Sequence, residues 1–323
     1  TLLYILPEML NSSYQLRNAL TALSNRNELA RIVIDEAHCV SSWGHDFRPD
    51  YKLLENMKTD YPNVPIMALT ATANEQVRLD IFGCLRSDNT TFLKQSFNRT
   101  NLYYEVQKKS SDVNNVMADL MSNKFKNQSG IIYCNSRNLC ERTAQVLQNS
   151  GLNVAYYHAM LTPEERESIQ RAWQKGTLQA ICATIAFGMG IDKPDVRFVF
   201  HLTLPKNMEG YYQETGRAGR DGLPSECILF YNFRDARTIQ MMIQKDENLD
   251  HETKARHKEM LNRVIQYCQN STDCRRKQVL QYFNETFDVR LCRGGCDNCR
   301  FGSNQVKEIR DVTQRAKEIV ELV

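Results

Sequence analysis

At 323 residues, with 42% hydrophobic and 24% charged, the chain has the composition of an ordinary globular protein and room for two to three domains of roughly 100–200 residues each. The net charge of +3 neither demands nor excludes nucleic acid. No apolar run approaches the ~20 residues that would span a bilayer, and no signal peptide opens the chain, so the expectation is an intracellular protein with no membrane association.

In chain order, residues 1–8 are strand-like until Pro7 breaks them, and a helix is predicted over 14–23. Arg31-Ile32-Val33-Ile34-Asp35-Glu36-Ala37-His38 then reads as a buried parallel strand bringing two carboxylates to its C-terminal end. Ligands of open α/β sheets collect at that edge. Taken alone, the same string also fits a strand ending in a solvated acidic turn. Residues 39–49 are too broken by Gly and Pro for a helix, and carry Trp43, His45, Phe47 and Arg48. The aromatic rings offer faces on which unpaired bases can stack; a loop that tucks its aromatics into the domain fits the residues equally well. A helix from about Tyr51, a strand over 66–69 closed by Thr70-Ala71-Thr72, and a helix over 74–85 complete this block. Thr72 can be a relay or the N-cap of that helix, and His38 a relay or a helix cap.

The pattern loosens over 94–105, the expected link between domains. From Gly130 a βα alternation restarts, with strands over 131–134, 154–157, 180–183, 197–201 and 226–231 and a helix over 137–148 stopped by Gly151. The helix after Thr162 has an N-cap, Pro163 at its first position, Glu165 completing a capping box and Gly176 as its stop. Two successive βα blocks imply two lobes with separate parallel sheets. From 235 to 283 the spacing of Met260, Val264, Tyr267, Val279, Tyr282 and Phe283 is helical. Between His251 and Arg310 there are 12 Lys and Arg against 7 Asp and Glu, so phosphate contacts are best sought there. Seven of the 11 cysteines are scattered, as buried thiols of a reducing compartment would be. Cys274, Cys292, Cys296 and Cys299 cluster as C-x(17)-C-x(3)-C-x(2)-C, which suits tetrahedral, structural Zn²⁺.

Asp35-Glu36-Ala37-His38, Thr70-Ala71-Thr72 and Gln213-Glu-Thr-Gly-Arg217-Ala-Gly-Arg220 form the DEAH, TAT and QxxGRxxR series of a superfamily 2 helicase. With His45-Asp-Phe-Arg-Pro-Asp-Tyr51 and Thr184-Ile-Ala-Phe-Gly-Met-Gly-Ile-Asp192-Lys-Pro-Asp-Val-Arg197, the chain resembles the RecQ family of DNA helicases, nearest its eukaryotic Bloom-type branch. The resemblance covers essentially all of the chain. It implies an α/β fold of two RecA-like lobes with parallel sheets, followed by a helical zinc-binding subdomain. The expected divisions are 1–93 (lobe one), 94–105 (link), 106–233 (lobe two), 234–303 (helices and zinc) and 304–323 (the start of a winged-helix domain).

By the same resemblance, the activity is ATP-dependent 3′-to-5′ DNA unwinding in recombination, repair and replication-fork maintenance, in the nucleus. The partners would be DNA with single-stranded tails or duplex junctions, and DNA-repair proteins. Asp35 would hold the Mg²⁺ of bound ATP, Glu36 would activate water, and Arg220, with Arg217 three residues before it on one helical face, would meet the γ-phosphate. His38, Thr72, Gln213, Asp192 and the loop residues Trp43, His45, Phe47 and Arg48 would couple DNA to ATP. Asn135, Ser136, Arg137, His158 and Thr184, with that loop, would hold DNA; singly, the lobe-two residues fit caps or turns as well. Ser42 and Leu6 depart from residues frequent in the family, leaving their contacts open. No Gly-Lys-Ser or Gly-Lys-Thr occurs in the chain, so the family's P-loop is expected to precede Thr1 and the isolated chain to be inactive alone. A non-catalytic DNA-binding scaffold and a DEAH-type RNA helicase are the competing readings.

Overall fold

Ile32–Ile34 (β1) and Ile66–Ala68 (β2) lie parallel, Ile32 opposite Ile66 and Ile34 opposite Ala68. They belong to a computed structural model that describes residues 1–41, 48–86, 90–188 and 191–302, with Thr313 and Lys317. Ile34 enters a core with Leu20, Leu54, Met57, Val77 and Ile81, while Val33 and Met67, one residue out of phase, stay about half exposed. The predicted helices over 14–23 and 74–85 form as Tyr14–Asn25 and Glu75–Cys84. The opening residues are not a strand: no ladder includes them, and Pro7, which fixes φ for a first helical turn, starts the helix Pro7–Ser12.

The second lobe is one sheet of six parallel strands: Leu102–Lys108 (β3), Ser129–Tyr133 (β4), Val154–Tyr157 (β5), Ala180–Ala183 (β6), Val196–His201 (β7) and Ser225–Tyr231 (β8), in the order β3-β8-β7-β4-β6-β5. Ile131 and Ile132 point to opposite faces and both are fully buried. Helices therefore cover the sheet on both sides, which is why its strands read as unbroken apolar runs. Gly130 in β4 is a packing requirement: a Cβ there would lie 2.0 Å from the Phe198 ring on β7. The capping box at Thr162 and Glu165 forms, and Gly176 follows the helix Pro163–Gln174 with φ +79°.

The expected link gives its last residues, from Leu102, to β3, which pairs with β8 along its whole length. Its alternation of buried Leu102 and Tyr104 with polar Glu105 and Gln107 is that of an edge strand. Past β8 the chain is helical, in Phe233–Lys245, His251–Gln269 and Arg275–Tyr282. These helices share the core of the second lobe, since Leu261, Val264, Tyr267 and Val279 pack in one cluster with Tyr104, Tyr211 and Leu229.

Candidate active site and metal centre

The ends of β1 and β2 are laced together: the Leu69 N–H donates to the Ile34 carbonyl at 2.8 Å, and the Ala37 N–H to the Leu69 carbonyl at 2.9 Å. This sets Asp35-Glu36 against Thr70-Ala71-Thr72. Glu36 takes a left-handed backbone conformation, φ 50° and ψ 42°, immediately before the 3-10 turn Ala37–Val40. Its carboxylate lies 3.2 Å from Nδ1 of the fully buried His38, which is also 3.1 Å from the Thr70 hydroxyl. The His38 partners described are all in lobe one, so any relay starts there. Asp35 is exposed, with one carboxylate oxygen accepting from the Glu36 N–H at 2.9 Å. Thr72 is buried and its hydroxyl has no hydrogen-bond partner among the described residues. It is not the cap of the next helix. Asn74 is, its side-chain oxygen accepting from the Val77 N–H at 3.0 Å.

Across a cleft of about 1360 Å³ stand Gln213, Arg217 and Arg220, which line it together with Glu36 and Thr70. The two arginines do not share a helical face. The helix Met208–Thr215 stops before them, and they sit in the turns that follow, Arg217 buried and Arg220 exposed. Arg217 keeps Nε without a hydrogen-bond partner among the described residues; its charge holds down the Tyr133 phenol that burial pushes up. Arg220 donates to the Ile191 carbonyl at 3.0 Å and to Asp192 at 2.9 Å. Gly219 has φ +56°, and a Cβ there would come within 2.4 Å of Asn101 and 2.7 Å of the Leu223 carbonyl. Arg99 fastens the same turn, donating to the carbonyls of Gly216, Ala218 and Gly219 at 3.2, 3.0 and 2.8 Å.

In the sheet order, β6 lies between β4 and β5. Asn135, Ser136 and Arg137 after β4, Thr184 after β6 and His158 after β5 are thus neighbours along one C-terminal edge. Asn135 to Arg137 are exposed. Ser136 caps Arg137–Asn149, accepting from the Leu139 N–H at 3.3 Å, and the Thr184 hydroxyl accepts from the Ala186 N–H at 3.3 Å. His158 is buried, with Nε2 2.9 Å from Glu141 and Nδ1 without a partner among the described residues. Of the aromatic loop, Ser42, Trp43, His45 and Phe47 lie outside the described residues. Arg48 is described, its N–H donating to the Cys39 carbonyl at 3.0 Å. The expected winged-helix start also falls outside, except for Thr313 and Lys317.

The Cys274, Cys292, Cys296 and Cys299 sulfurs all lie within 4.8 Å of one another. Cys292 to Cys296 and Cys296 to Cys274 are both 3.9 Å, too long for a disulfide and close to the ~3.8 Å edge of a ZnS₄ tetrahedron with 2.3 Å bonds. Hydrogen bonds from the Cys274 and Cys296 thiols hold Cys292 far below the usual thiol range. The Arg275 N–H points at the Cys296 sulfur, 3.4 Å away, and the Arg275 side chain pairs with buried Asp297 at 2.9 Å. All four donors are thiols, so the set suits a structural zinc with no open position. The other cysteines among the described residues are free, and six of the seven are buried.

Sequence reasoning missed Arg99, Asn74 and Arg276. Arg276, nearly fully buried, donates to the Asn98 side chain at 2.8 Å and to the Leu102 carbonyl at 2.7 Å, joining the zinc helices to the link. A lone Arg or Asn has no spacing signature. The polar Asn98-Arg99-Thr100-Asn101 run was the one available cue.

Three family models match: DEAD/DEAH box helicase over residues 1–79, helicase conserved C-terminal domain over 112–222, and RecQ zinc-binding over 233–300. The chain is 59% identical over 322 residues to the ATP-dependent helicase SGS1 of Saccharomyces cerevisiae, covering all of this chain and 22% of that protein. It is 47% identical over 329 residues to the RecQ-like DNA helicase BLM of Xenopus laevis, again over its full length and 24% of the relative. It thus spans about a quarter of the length of these curated relatives. In fold it is similar to S. cerevisiae Dbp5 bound to RNA and ADP BeF3, with a TM-score of 0.55 at 20% identity over 76% of this chain and 68% of that one. Lhr of Mycobacterium smegmatis, bound to ssDNA and AMP-PNP, gives 0.51 at 19% identity over 80% and 41%. No helix among the described residues is long and apolar enough to cross a membrane.

Proposed function

Because this chain belongs to the RecQ family of helicases, we propose that it carries motor lobes and the zinc module of an ATP-dependent DNA helicase. It would move 3′ to 5′ and act in the nucleus on DNA with single-stranded tails or junctions, alongside DNA-repair proteins. The observation that carries the proposal is the cleft, where strained Glu36 faces Arg217, a buried guanidinium with an unsatisfied donor. A base on one lobe and cations on the other give a site that is complete only when the lobes meet.

In this reading Glu36 takes the proton of the attacking water, with His38 and Thr70 fixing its carboxylate. Arg217 and Arg220 meet the charge that develops on the γ-phosphoryl group; an arginine finger of this kind is worth ~10³–10⁵ in rate. Asp35, a hard oxygen donor at the strand end, suits the Mg²⁺ that neutralises the nucleotide's phosphates when bound. Gln213, Asp192, Thr72 and the loop with Trp43, His45, Phe47 and Arg48 link this chemistry to DNA. Asn135, Ser136, Arg137, Thr184 and His158 hold the DNA backbone, since hydroxyls and helix N-termini are suited to phosphate.

The test is Glu36→Gln in the full protein, with wild-type unwinding measured on matched DNA and RNA duplexes. We expect DNA to be unwound in preference to RNA, and the substitution to cut DNA-stimulated hydrolysis by roughly 10²–10⁴-fold, the usual range for a lost general base, with ATP and DNA still bound. Wild-type turnover by the variant would remove Glu36 from the chemistry; equal unwinding of RNA would favour the RNA-helicase reading.

A further inference from the structure

Glu209 is the second residue of the helix Met208–Thr215, which carries Gln213 and leads into the arginine turns. It is almost fully buried, with no salt-bridge partner among the described residues, an unusual place for a carboxyl group. One oxygen, Oε1, receives two donors. The Asn74 side-chain amide of lobe one donates to it at 3.0 Å, and the Tyr282 hydroxyl of the zinc-module helix Arg275–Tyr282 donates to it as well. The other oxygen has no hydrogen-bond partner among the described residues. Two residues past Tyr282, the Asn284 amide donates to lobe-one Glu75 at 3.2 Å.

The Asn74 amide has no freedom to turn over. Its oxygen is engaged by the Val77 N–H as the helix cap, so its NH₂ must face Glu209. Asn74 stands two residues after Thr72, whose N–H is held by the Thr70 hydroxyl at 3.2 Å. The bond from Asn74 to Glu209 therefore joins the Thr70–Thr72 turn beside Glu36 to the helix that positions Gln213 and the arginines.

We infer that Glu209 is a positioning residue, a buried carboxyl latch that sets the spacing of the two lobes at the cleft and brings the zinc module into that spacing through Tyr282. It touches no reacting atom. It acts through Asn74 on the Thr70–Thr72 turn, and along its own helix on Gln213 and Arg217. Its effect on turnover rests on the proposed role of the cleft in ATP hydrolysis; the latch itself does not.

The test uses the full protein with spin labels on unnatural amino acids at the exposed positions Asp60 in lobe one and Glu164 in lobe two. Inter-lobe distances are read by double electron–electron resonance without nucleotide. Asn74→Ser keeps a good helix cap but cannot reach Glu209. Glu209→Ala removes the acceptor, and Glu209→Gln restores an acceptor oxygen of the same reach. We expect Asn74→Ser and Glu209→Ala each to broaden the distance distribution, the double variant to broaden it no further, and Glu209→Gln to match wild type. In turnover, the same two variants should lose roughly tenfold in kcat with KM for ATP within about twofold, the pattern of an interaction felt in the transition state. An unchanged distribution in both variants, or additive effects in the double variant, would overturn the latch and leave the helicase reading untouched. A wild-type protein without ATPase activity would defeat the helicase reading, while the distances still decide the latch.

Discussion

Glu36 is held in a backbone region that non-glycine residues enter at a cost of order 1–3 kcal/mol, and such strain collects at functional sites. The strand ends on both sides hold it there, and the motif string alone gave no sign of it. Arg220 differs in kind, being exposed and tethered to Asp192 and the Ile191 carbonyl. We expect Arg220→Ala in the full protein to leave ATP and DNA binding nearly intact and to lower kcat by ~10³-fold or more. Lysine should not restore it, because a point charge lacks the guanidinium's planar fork. Steady-state and binding measurements decide this, and an equal loss of nucleotide affinity and rate would make Arg220 a ground-state ligand. The motif residues were legible because their chemistry fixes both type and spacing. Asn74, Arg99 and Glu209 were not, because each is defined by a partner far away in sequence.

Among the elements, the zinc knuckle is the least separable from its surroundings. The Tyr104 N–H of β3 donates to the Gly295 carbonyl at 3.3 Å, and the Val106 N–H to Asp297 at 3.0 Å. The knuckle thus covers the free edge of β3, a position that otherwise invites pairing with other chains. Zinc removal should therefore cost hydrogen-exchange protection in residues 102–106 as well as 274–300, with residues 1–86 unchanged. Structural zinc contributes on the order of 10–16 kcal/mol in small peptide modules, enough to carry this edge with it. Exchange mass spectrometry after verified chelation is the measurement; full protection of 102–106 in metal-free protein would contradict it. The sequence made the four ligands plain and left this dependence hidden, because β3 lies in the stretch where the apolar pattern loosens.

Across the whole molecule, the division into two parallel-sheet lobes was readable, since the βα alternation stops and restarts. The strand order was not, because periodicity identifies strands without saying which ones pair. That order makes one edge of lobe two a row of phosphate-binding candidates. Arg137→Ala should weaken binding of single-stranded DNA uniformly across sequences and lower the slope of log affinity against log salt by about 0.7; an unchanged slope in a salt titration would remove Arg137 from the DNA path. The pairing of β3 with β8 also constrains the order of events during synthesis. Leu102 meets Ser225, 123 residues later in the chain. At roughly 5–20 residues per second, β3 would wait about 6–25 s after its own synthesis before its partner is made, and longer for the knuckle that covers its outer side. Through that interval it is a half-apolar ribbon with both edges open, so the nascent chain is most exposed to misassociation while translation runs between these two strands.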